Sequence, residues 1–255
     1  MKIATWNVNS LRVRLPHLLD WLAQQQADVL ALQETKVQDC DFPQAEITAA
    51  GYHVVFSGQK TFNGVAILSR AIAEDVTVGL PGFVDDQCRV ISATVRGIRV
   101  INFYVPNGQS VGSDKYQYKL RWLSAATDFI RQAFETYPKV VVVGDFNIAP
   151  EDRDVHDPAL WTGKVLVSDD ERQALKTILA LGLKDLFRHF DQEENSFSWW
   201  DYRGGQFWKN AGLRIDLMLA NDALIQTCQS CVIDTRPRKR KRPSDHAPVL
   251  ASFCC

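Results

Sequence analysis

The sequence lacks a long apolar run, a secretory leader and an excess of charge of either sign. No stretch approaches the roughly 20 apolar residues that cross a bilayer, and the first residues enter a strand-like pattern without the apolar centre of a signal peptide. We therefore expect a cytoplasmic protein with no membrane anchor. Twenty-nine basic and thirty acidic residues give a formal charge of −1. A polyanionic partner would therefore have to meet a local concentration of positive charge.

Two catalytic signatures are also missing. The chain has no GxSxG nucleophile motif and no Walker-type glycine loop, which favours attack by water over a covalent enzyme intermediate. Cys228 and Cys231 have the spacing of metal ligands, and with Cys254 and Cys255 they could form a four-thiolate zinc site. A CxxC pair without a second spaced pair is weak evidence, so we expect ordinary reduced thiols here and at Cys40 and Cys88.

Hydrophobic residues are plentiful, at 46% of the chain with seven tryptophans, which predicts an ordered core. The periodicity of these residues and the turn residues between them predict the elements. Strands are expected at 2–8, 28–34, 52–57, 64–69, 90–95, 99–105, 139–143, 196–202, 213–220, 228–233 and 247–253, and helices at 11–26, 115–134 and from the N-cap Ser168 to Gly182.

An internal echo indicates how these elements are arranged. Residues 3–34 read as strand, turn with Asn, helix and strand, and residues 140–187 repeat that order. Two related halves would each supply a helix layer over a sheet, and two such sheets can pack face to face. No linker-like stretch separates the halves. We therefore expect residues 1–255 to form a single α/β sandwich domain.

Polar side chains recur at the ends of apolar strands. They are Glu34, Asp145, Asn147, Asp216, Asp245 and His246. A carboxylate beside a buried strand costs several kcal/mol unless a cation or hydrogen bonds compensate it. A single such residue is usually a cap or a turn residue, but the repeated placement favours a site. Oxygen donors of this kind suit Mg²⁺ or Mn²⁺ rather than zinc.

Asp216 and His246 could form a pair. A buried aspartate that accepts a hydrogen bond from one imidazole nitrogen fixes the tautomer and favours the charged ring. The other nitrogen could then face an anionic substrate. The alternative is a core histidine whose hydrogen bonds are simply satisfied.

Six motifs together resemble the exonuclease III and abasic endonuclease family of the endonuclease/exonuclease/phosphatase superfamily. They are WNVNS at 6–10, LQETK at 32–36, YVPNG at 104–108, GDFNIAP at 144–150, LRIDLMLA at 213–220 and PSDHAPV at 243–249. They follow one another in order over nearly the whole chain. The resemblance implies a four-layer αββα sandwich of two packed, mixed, mostly antiparallel sheets flanked by helices. It also implies Mg²⁺-dependent hydrolysis of DNA 5′ to abasic sites and at 3′ ends, as exonuclease and 3′-phosphatase.

The same resemblance implies roles for single residues. Glu34, with Asn7 and Asp245 nearby, would hold the metal, and Asp145 with Asn147 would contribute to it while orienting and deprotonating water. Tyr104 would contact the scissile phosphate or the departing oxygen. His246, paired with Asp216, would stabilise charge on the phosphate, and Asn107 would bind a phosphate.

Other residues would meet the DNA around the scissile bond. An apolar pocket for a flipped abasic sugar would have Trp199, Leu213 and Ile215 as walls, although Trp199 could instead be core packing. Two positions depart from the family pattern. Ser10 stands where relatives often have Gly, and Leu213 stands where some abasic endonucleases have an aromatic residue, which leaves the balance of activities open.

A basic run, RPRKRKR at 236–242, immediately precedes Pro243. Alone it would be a mobile solvated segment or a nuclear-localisation signal, but beside a phosphodiesterase site it favours phosphate steering through Arg238, Lys239, Arg240 and Lys241. We therefore expect double-stranded DNA, especially abasic or 3′-damaged DNA, as the partner, a monomeric protein, and association with the nucleoid through DNA.

Three alternatives stay open. The first is another phosphodiesterase of the superfamily, acting on inositol phosphates, sphingomyelin or RNA tails, although FSWWDYR at 197–203 favours the DNA-repair branch. The second is a relative that binds RNA without catalysis, and the third is a purely structural domain. The sequence does not rank the nuclease activities or decide between one metal ion and two.

Overall fold

Two six-stranded sheets form the centre of the computed structural model, which describes residues 1–254. In chain order the strands are β1 (Lys2–Asn7), β2 (Val29–Gln33), β3 (His53–Ser57), β4 (Val65–Ser69), β5 (Glu74–Val78), β6 (Val90–Val95), β7 (Ile98–Tyr104), β8 (Val140–Asp145), β9 (Leu183–Asp185), β10 (Asp216–Asn221), β11 (Cys228–Ile233) and β12 (Val249–Phe253). One sheet has the order β11-β12-β1-β2-β4-β3 and the other β5-β6-β7-β8-β10-β9. The pairs β1–β2 and β7–β8 are parallel, and the other paired strands are antiparallel.

The two sheets share one strand pattern, and a helix links each parallel pair. Helix α1 (Leu11–Gln25) connects β1 to β2, and α3 (Asp114–Thr136) connects β7 to β8. The echo between residues 3–34 and 140–187 was therefore matched wrongly. The strand that follows β8 in the chain, β9, pairs with β10 and not with β8. The true counterpart of β1–α1–β2 is β7–α3–β8.

The helices cover the outer faces of the sheets. Besides α1 and α3 they are α2 (Gln44–Ala49) and α5 (Asp169–Leu179). Two four-residue helices, α4 (Pro158–Trp161) and α6 (Asp222–Ile225), lie elsewhere, and Leu224 and Ile225 of α6 pack between the sheets. Leu18 and Trp21 of α1 pack into the apolar cluster behind the first sheet, and Trp122 of α3 does so behind the second. A third cluster lies between the sheets. The four-layer αββα arrangement expected from the resemblance is confirmed.

Local sequence explains where the two helices of the second half begin. The Ser113 hydroxyl accepts a hydrogen bond from the backbone N–H of Tyr116 at the start of α3. Ser168 and Glu171 form a capping box at the start of α5.

The expected strand at 196–202 is wrong, since Trp199 makes only isolated bridges, to Leu213 and His246. Its backbone bonds to different partners in turn instead of to one neighbouring strand.

A buried polar network joins the two sheets. The amide nitrogen of Asn102, on β7, donates to the carbonyls of Leu32 (2.9 Å) and Ala66 (3.0 Å) in the other sheet. The amide nitrogen of Gln33 donates to Asn102 Oδ1 (2.7 Å) and Thr5 Oγ1 (2.8 Å). Asn102, Gln33 and Thr5 are all fully buried. Buried polar groups are costly unless paired, so these bonds favour one alignment of the sheets.

A separate question is whether any helix could cross a membrane. Among residues 1–254, no helix combines the length and the apolar character that a bilayer span requires.

Candidate active site

The carboxyl ends of the two parallel strand pairs meet at one edge of the sandwich. Asn7 ends β1, Glu34 directly follows β2, Tyr104 ends β7 and Asp145 ends β8. The amide nitrogen of Asn7 donates to Glu34 Oε1 (2.8 Å) and to Asp145 Oδ2 (2.9 Å). A single side chain thus connects carboxylates that belong to different sheets.

Gly144 allows β8 to approach β7 closely before Asp145. A Cβ atom at this position would lie 1.9 Å from the carbonyl oxygen of Phe103, and φ is +141°. No other residue fits without moving a strand, because the obstacle is backbone. The glycine in the GDFN motif is therefore required by the contact between the strands that carry Tyr104 and Asp145.

Asp145 is buried and carries a perturbed pKa. Its Oδ1 accepts a hydrogen bond from the backbone N–H of Asn147 (2.9 Å). Burial raises the pKa of Asp145 to about 7, His246 opposes that rise, and Asp216 and Glu34 add to it. Acidic groups crowded away from water favour a nearby cation.

The Asp216–His246 pair that was expected from the sequence is in contact. Asp216 Oδ2 lies 2.8 Å from His246 Nδ1 and accepts a hydrogen bond from Ser198 Oγ (2.7 Å). His246 Nε2 lies 3.8 Å from Asp145 Oδ2. Burial lowers the pKa of His246, but Asp216 and Asp145 together raise it to about 10. The ring therefore carries a positive charge at neutral pH.

One group of side chains could hold a metal ion. Within residues 1–254 it consists of Glu34, Asp145 and His246, whose donor atoms lie within 4.8 Å of one another. A protonated imidazole offers no lone pair, so the chain's ligands would be the two carboxylates. An oxygen donor set of this kind fits a hard divalent cation, which commonly keeps water in its remaining positions.

Asn7 and Asp245 were also expected at the metal, but here their oxygens accept hydrogen bonds from the protein. Asn7 Oδ1 accepts from the backbone N–H of Asn9 (2.9 Å). Asp245 Oδ1 accepts from Asn9 Nδ2 (2.8 Å) and Oδ2 from Trp199 Nε1 (3.1 Å). Burial would raise the pKa of Asp245, but His246 and these two bonds hold it below its ordinary value. A ligand role for either residue stays a prediction.

Tyr104 and Lys36 both contact Glu34. The Tyr104 hydroxyl is hydrogen-bonded to Glu34, and its pKa is raised well above the ordinary value by burial and by the Glu34 charge. The phenol therefore stays protonated at neutral pH and can donate. Lys36 Nζ lies 2.8 Å from Glu34 Oε2 and donates to Asn9 Oδ1 (2.6 Å). Lys36 was not singled out in the sequence, although it closes the LQETK motif.

Asn147 and Asn107 are neighbours, and a buried lysine holds both loops. Asn107 Nδ2 donates to Asn147 Oδ1 (3.1 Å). Lys119 Nζ donates to the backbone carbonyls of Asn147 (2.6 Å) and Asn107 (3.2 Å) and pairs with Glu171. Lys119 was missed from the sequence. The available signal was a lysine three residues after Tyr116 and four before Leu123, on the buried face of α3.

The proposed sugar pocket is only partly exposed. Leu213 and Ile215 are fully buried in an apolar cluster with Val155 and Leu166. Trp199 is the expected wall residue that reaches the surface, and two partly buried residues, Trp161 and Val165, pack against the same cluster. Leu213 and Ile215 are thus not exposed in this structure, and their role as walls of a sugar pocket stays a prediction.

The basic side chains of residues 236–242 fall into two classes: some contact other parts of the protein, and others are exposed and form no salt bridge with the described residues. Arg238 is 5% exposed, its guanidinium lies over the rings of Trp200 and Phe207, and it donates to the Ser244 carbonyl. Arg240 pairs with Asp20 at 2.7 Å. Arg238 is therefore held mainly by protein contacts, and its contact with DNA stays a prediction. Lys239, Lys241 and Arg242 are exposed and form no salt bridge within residues 1–254.

Within residues 1–254, no three cysteines bring their sulfur atoms close enough together to hold a metal ion. Cys228 and Cys231 lie on β11, and both are free thiols. Cys40, Cys88 and Cys254, which lie in other parts of the chain, are also free thiols. Burial raises the pKa of both Cys228 and Cys231, which disfavours the thiolate form that metals bind. The fourth ligand of the imagined zinc site, Cys255, lies outside the described residues.

Known proteins resemble this chain over its whole length. It is 35% identical to exodeoxyribonuclease III of Haemophilus influenzae, over 99% of this chain and 100% of the relative. A Neisseria 3′ phosphatase, solved with a product DNA hairpin, is 47% identical, with a TM-score of 0.98 and full coverage of both chains. An AP endonuclease from Archaeoglobus fulgidus is 43% identical, with a TM-score of 0.96 and full coverage of both. The model of the Endonuclease/Exonuclease/phosphatase family matches residues 4–246, and the chain belongs to this family.

Proposed function

We propose that this protein is a metal-dependent DNA-repair nuclease that hydrolyses phosphodiesters with water. The observation that carries the proposal is the contact of Asn7 with both Glu34 and Asp145, which gathers two carboxylates beside the charged His246. An acidic cation site next to a fixed positive charge suits an anionic phosphate ester. The relatives support DNA as the substrate, since they include an exodeoxyribonuclease III and a 3′ phosphatase bound to a DNA hairpin.

In this proposal the carboxylates of Glu34 and Asp145 would hold Mg²⁺, with Mn²⁺ as a substitute. When bound, the cation supplies positive charge that stabilises the phosphate oxygens and the departing oxygen. Asp145 orients water and accepts its proton. The N–H of Asn147 fixes the Asp145 carboxylate in place.

The remaining side chains act on the substrate. Charged His246, oriented by Asp216, faces the phosphate oxygens and stabilises the negative charge that develops there. Tyr104, a protonated phenol, donates to the phosphate or to the departing oxygen. The Asn107 side chain, exposed at the edge of the site, binds a phosphate oxygen.

We further propose double-stranded DNA with an abasic site or a damaged 3′ end as the substrate, and action as a monomer associated with the nucleoid. The relatives include both an AP endonuclease and a 3′ phosphatase, which supports both reactions. Residues 1–255 would act as one domain, because Glu34 and Asp145 come from different sheets.

The test is a panel of end-labelled duplexes carrying an abasic site, a 3′-phosphate or a recessed 3′ end, each assayed with Mg²⁺, with Mn²⁺ and with chelator. An inositol polyphosphate and a single-stranded RNA serve as competing substrates. We expect cation-dependent cleavage of the DNA panel alone, and its loss in Glu34→Gln. Turnover of the inositol phosphate or the RNA without turnover of DNA would overturn the proposal, as would DNA binding without hydrolysis under every cation.

A further inference from the structure

One tryptophan stands on the surface beside the candidate site without a role in it. Trp208 is 76% exposed, more than any other large aromatic residue described in 1–254. It lies in the segment between Tyr202 and Gly212, which is held by backbone bonds from Trp208 to Gly205 and from Ala211 to Gln206. A partner that covered this ring would remove a large apolar surface from water.

The ring is supported from behind rather than being mobile on a loose loop. Phe207 packs edge-on against Trp208 at a centroid distance of 5.1 Å and against Trp200 at 5.1 Å and 90°. The guanidinium of Arg238 lies 4.9 Å from the Phe207 centroid. This explains why Arg238 is buried: it supports the aromatic stack that ends in Trp208.

The surface from the site to Trp208 is continuous. Asn9, which donates to Asp245, also reaches the Tyr202 hydroxyl at 3.5 Å. Tyr202 and Trp208 then line one hollow of about 210 Å³, together with Lys239. A strand that left the site past Tyr202 would therefore cross this hollow and arrive at Trp208.

The charge around the hollow suits a polyanion. Lys239 lines it and Lys209 follows Trp208, and neither forms a salt bridge within the described residues. Asp201, the acidic residue of the hollow, is neutralised by Arg203 at 2.6 Å. Glu193 and Glu194 line a second hollow, to which Trp208 and Lys239 also contribute. A phosphate chain would therefore run on the Tyr202 side of Trp208.

We infer that Trp208 stacks on an unpaired nucleobase of the DNA strand held at the active site, while Lys239 and Lys209 contact its phosphates. The inference rests on the proposed nuclease function and adds a substrate class to it. An aromatic platform beside basic residues is how proteins bind single strands, because every base has a π-face. Substrates with a single-stranded or frayed segment next to the scissile bond would be bound more tightly than fully paired ones.

The experiment compares binding of two labelled DNAs in chelator, where hydrolysis is stopped. One is a fully paired blunt duplex and the other is the same duplex with a short single-stranded extension. Loss of one stacked base corresponds to roughly 5- to 150-fold in Kd. We expect Trp208→Ala to weaken binding of the extended DNA by about this factor and to leave the blunt duplex within about twofold. Trp208→Phe should retain most of the affinity.

Two further measurements separate stacking from a structural role. Intrinsic fluorescence should be quenched by the extended DNA in the wild type, and Trp208→Phe should lose that quenching while it still binds. Val84→Ala, at a 98% exposed valine, is the control for loss of an exposed apolar group. Lys239→Gln should reduce the salt dependence of binding for the extended DNA more than for the blunt duplex.

The outcomes are distinct. If Trp208→Ala binds both DNAs as the wild type does, or loses the same factor on both, stacking on an unpaired base is wrong while the nuclease proposal stands. If the wild type binds neither DNA, both proposals fall. Unaltered thermal unfolding of Trp208→Ala would show that any selective loss comes from the missing ring.

Discussion

Lys119 Nζ donates a hydrogen bond to the backbone carbonyl of Asn147 over 2.6 Å, from a side chain that is fully buried. The same ammonium group reaches the Asn107 carbonyl, and Glu171 neutralises it. Burial lowers the Lys119 pKa and the Glu171 charge opposes this. Glu171 also accepts from the backbone N–H of Ser168. One ion pair therefore ties helices α3 and α5 to both asparagine loops of the site.

Replacing Lys119 by Met should weaken both folding and catalysis. The Glu171 carboxylate would be left buried without its partner, which typically destabilises by about 3–5 kcal/mol. The Asn107 and Asn147 loops would also lose their shared donor, so we expect kcat to fall at least about tenfold through misplacement of catalytic groups. Urea unfolding and steady-state kinetics on an abasic duplex measure the two effects.

The matched control is the double variant Lys119→Met with Glu171→Gln, in which no uncompensated charge remains. It should recover much of the unfolding free energy and little of kcat. If kcat recovered together with stability, Lys119 would act only through folding and not through the positions of the two loops.

Asp145→Asn should lower turnover and raise stability at the same time. A proton acceptor is typically worth about 10²–10⁴ in rate. The raised pKa of Asp145, about 7, means that the fold disfavours its charged form, so stability is lost as pH rises from about 4, near the unfolded value, through about 7. In chelator at pH 8 we expect the variant to be more stable by up to about 4 kcal/mol, since the pKa rises from 3.8 to about 7 and one pKa unit is worth about 1.4 kcal/mol. The gain in stability should vanish below about pH 4, where Asp145 of the wild type is protonated in both the folded and the unfolded protein.

Thermal unfolding between pH 4 and 8 measures the change in stability, and steady-state kinetics in Mg²⁺ measure the change in turnover. Asp128→Asn, at an exposed aspartate on α3 that pairs with Arg131, serves as the control. Near-normal turnover in Asp145→Asn, or a loss of stability at pH 8, would contradict the role given to this residue.

The buried Asp154–Arg214 pair should make the protein acid-sensitive. Arg214 Nε donates to Asp154 Oδ1 at 2.7 Å, and Arg188 donates to the same carboxylate. Burial would raise the pKa of Asp154, but the Arg214 and Arg188 charges lower it. A depressed pKa in the folded state gives stability that is present above the unfolded value, near 4, and is lost as pH falls through the folded value.

Asp154→Asn should therefore cost about 3–5 kcal/mol at pH 7, the usual effect of removing one partner from a buried pair. The difference from the wild type should shrink below about pH 4, as the wild-type carboxyl takes up its proton. Asp152→Asn is the control, because the Asp152 side chain is 72% exposed in its pair with Arg172. A pH-independent difference between Asp154→Asn and the wild type would exclude titration of Asp154 as the cause.

The cations of the 236–242 run should separate into two classes on mutation. Lys239→Gln with Lys241→Gln removes exposed charges, so DNA affinity should fall and the slope of log K against log salt should decrease by up to about 0.9 for each lost phosphate contact. Folding and kcat should change little. Arg238→Gln should instead lower the unfolding temperature, because it removes the support of the Trp200 and Phe207 rings. Equal salt slopes in the wild type and the double lysine variant would mean that the run does not steer phosphates.

Much of the architecture could be read from periodicity and turn residues. Ten of the expected strands and the three long helices lie where they were expected, because most of them bury apolar residues in a regular pattern between turn residues. The strand Glu74–Val78 was missed because it is largely exposed and carries no such stripe. The short helix Gln44–Ala49 buries only Ile47, so its apolar signal was too weak to detect.

The sequence predicted which residues form the candidate site, but it did not predict how their side chains are arranged in space. Glu34, Asn147 and Asn9 have φ values of 50°, 49° and 41°, a conformation that neither hydrophobic pattern nor propensity reports. Asn9, in one of those turns, donates a hydrogen bond to Asp245, a contact that the sequence did not indicate. Lys119 and Glu171 meet only through the packing of helices that are far apart in the chain. Tertiary contacts of this kind leave no mark in a local window of sequence.

The hydrogen bonds of Asn102 give the two sheets a fixed alignment, and this limits how the molecule can vary. Glu34 and Asp145 reach each other only across the seam between the sheets, so a slip of one sheet by a single residue, about 3.3 Å, would separate them. Packing of aliphatic side chains tolerates small slides, whereas a buried amide with a carbonyl on either side does not. Substitutions that change the size of aliphatic side chains between the sheets should therefore have little effect on the rate of hydrolysis. Asn102→Leu, which keeps the side-chain shape but removes the hydrogen bonds, should leave a folded enzyme with a lowered rate of hydrolysis.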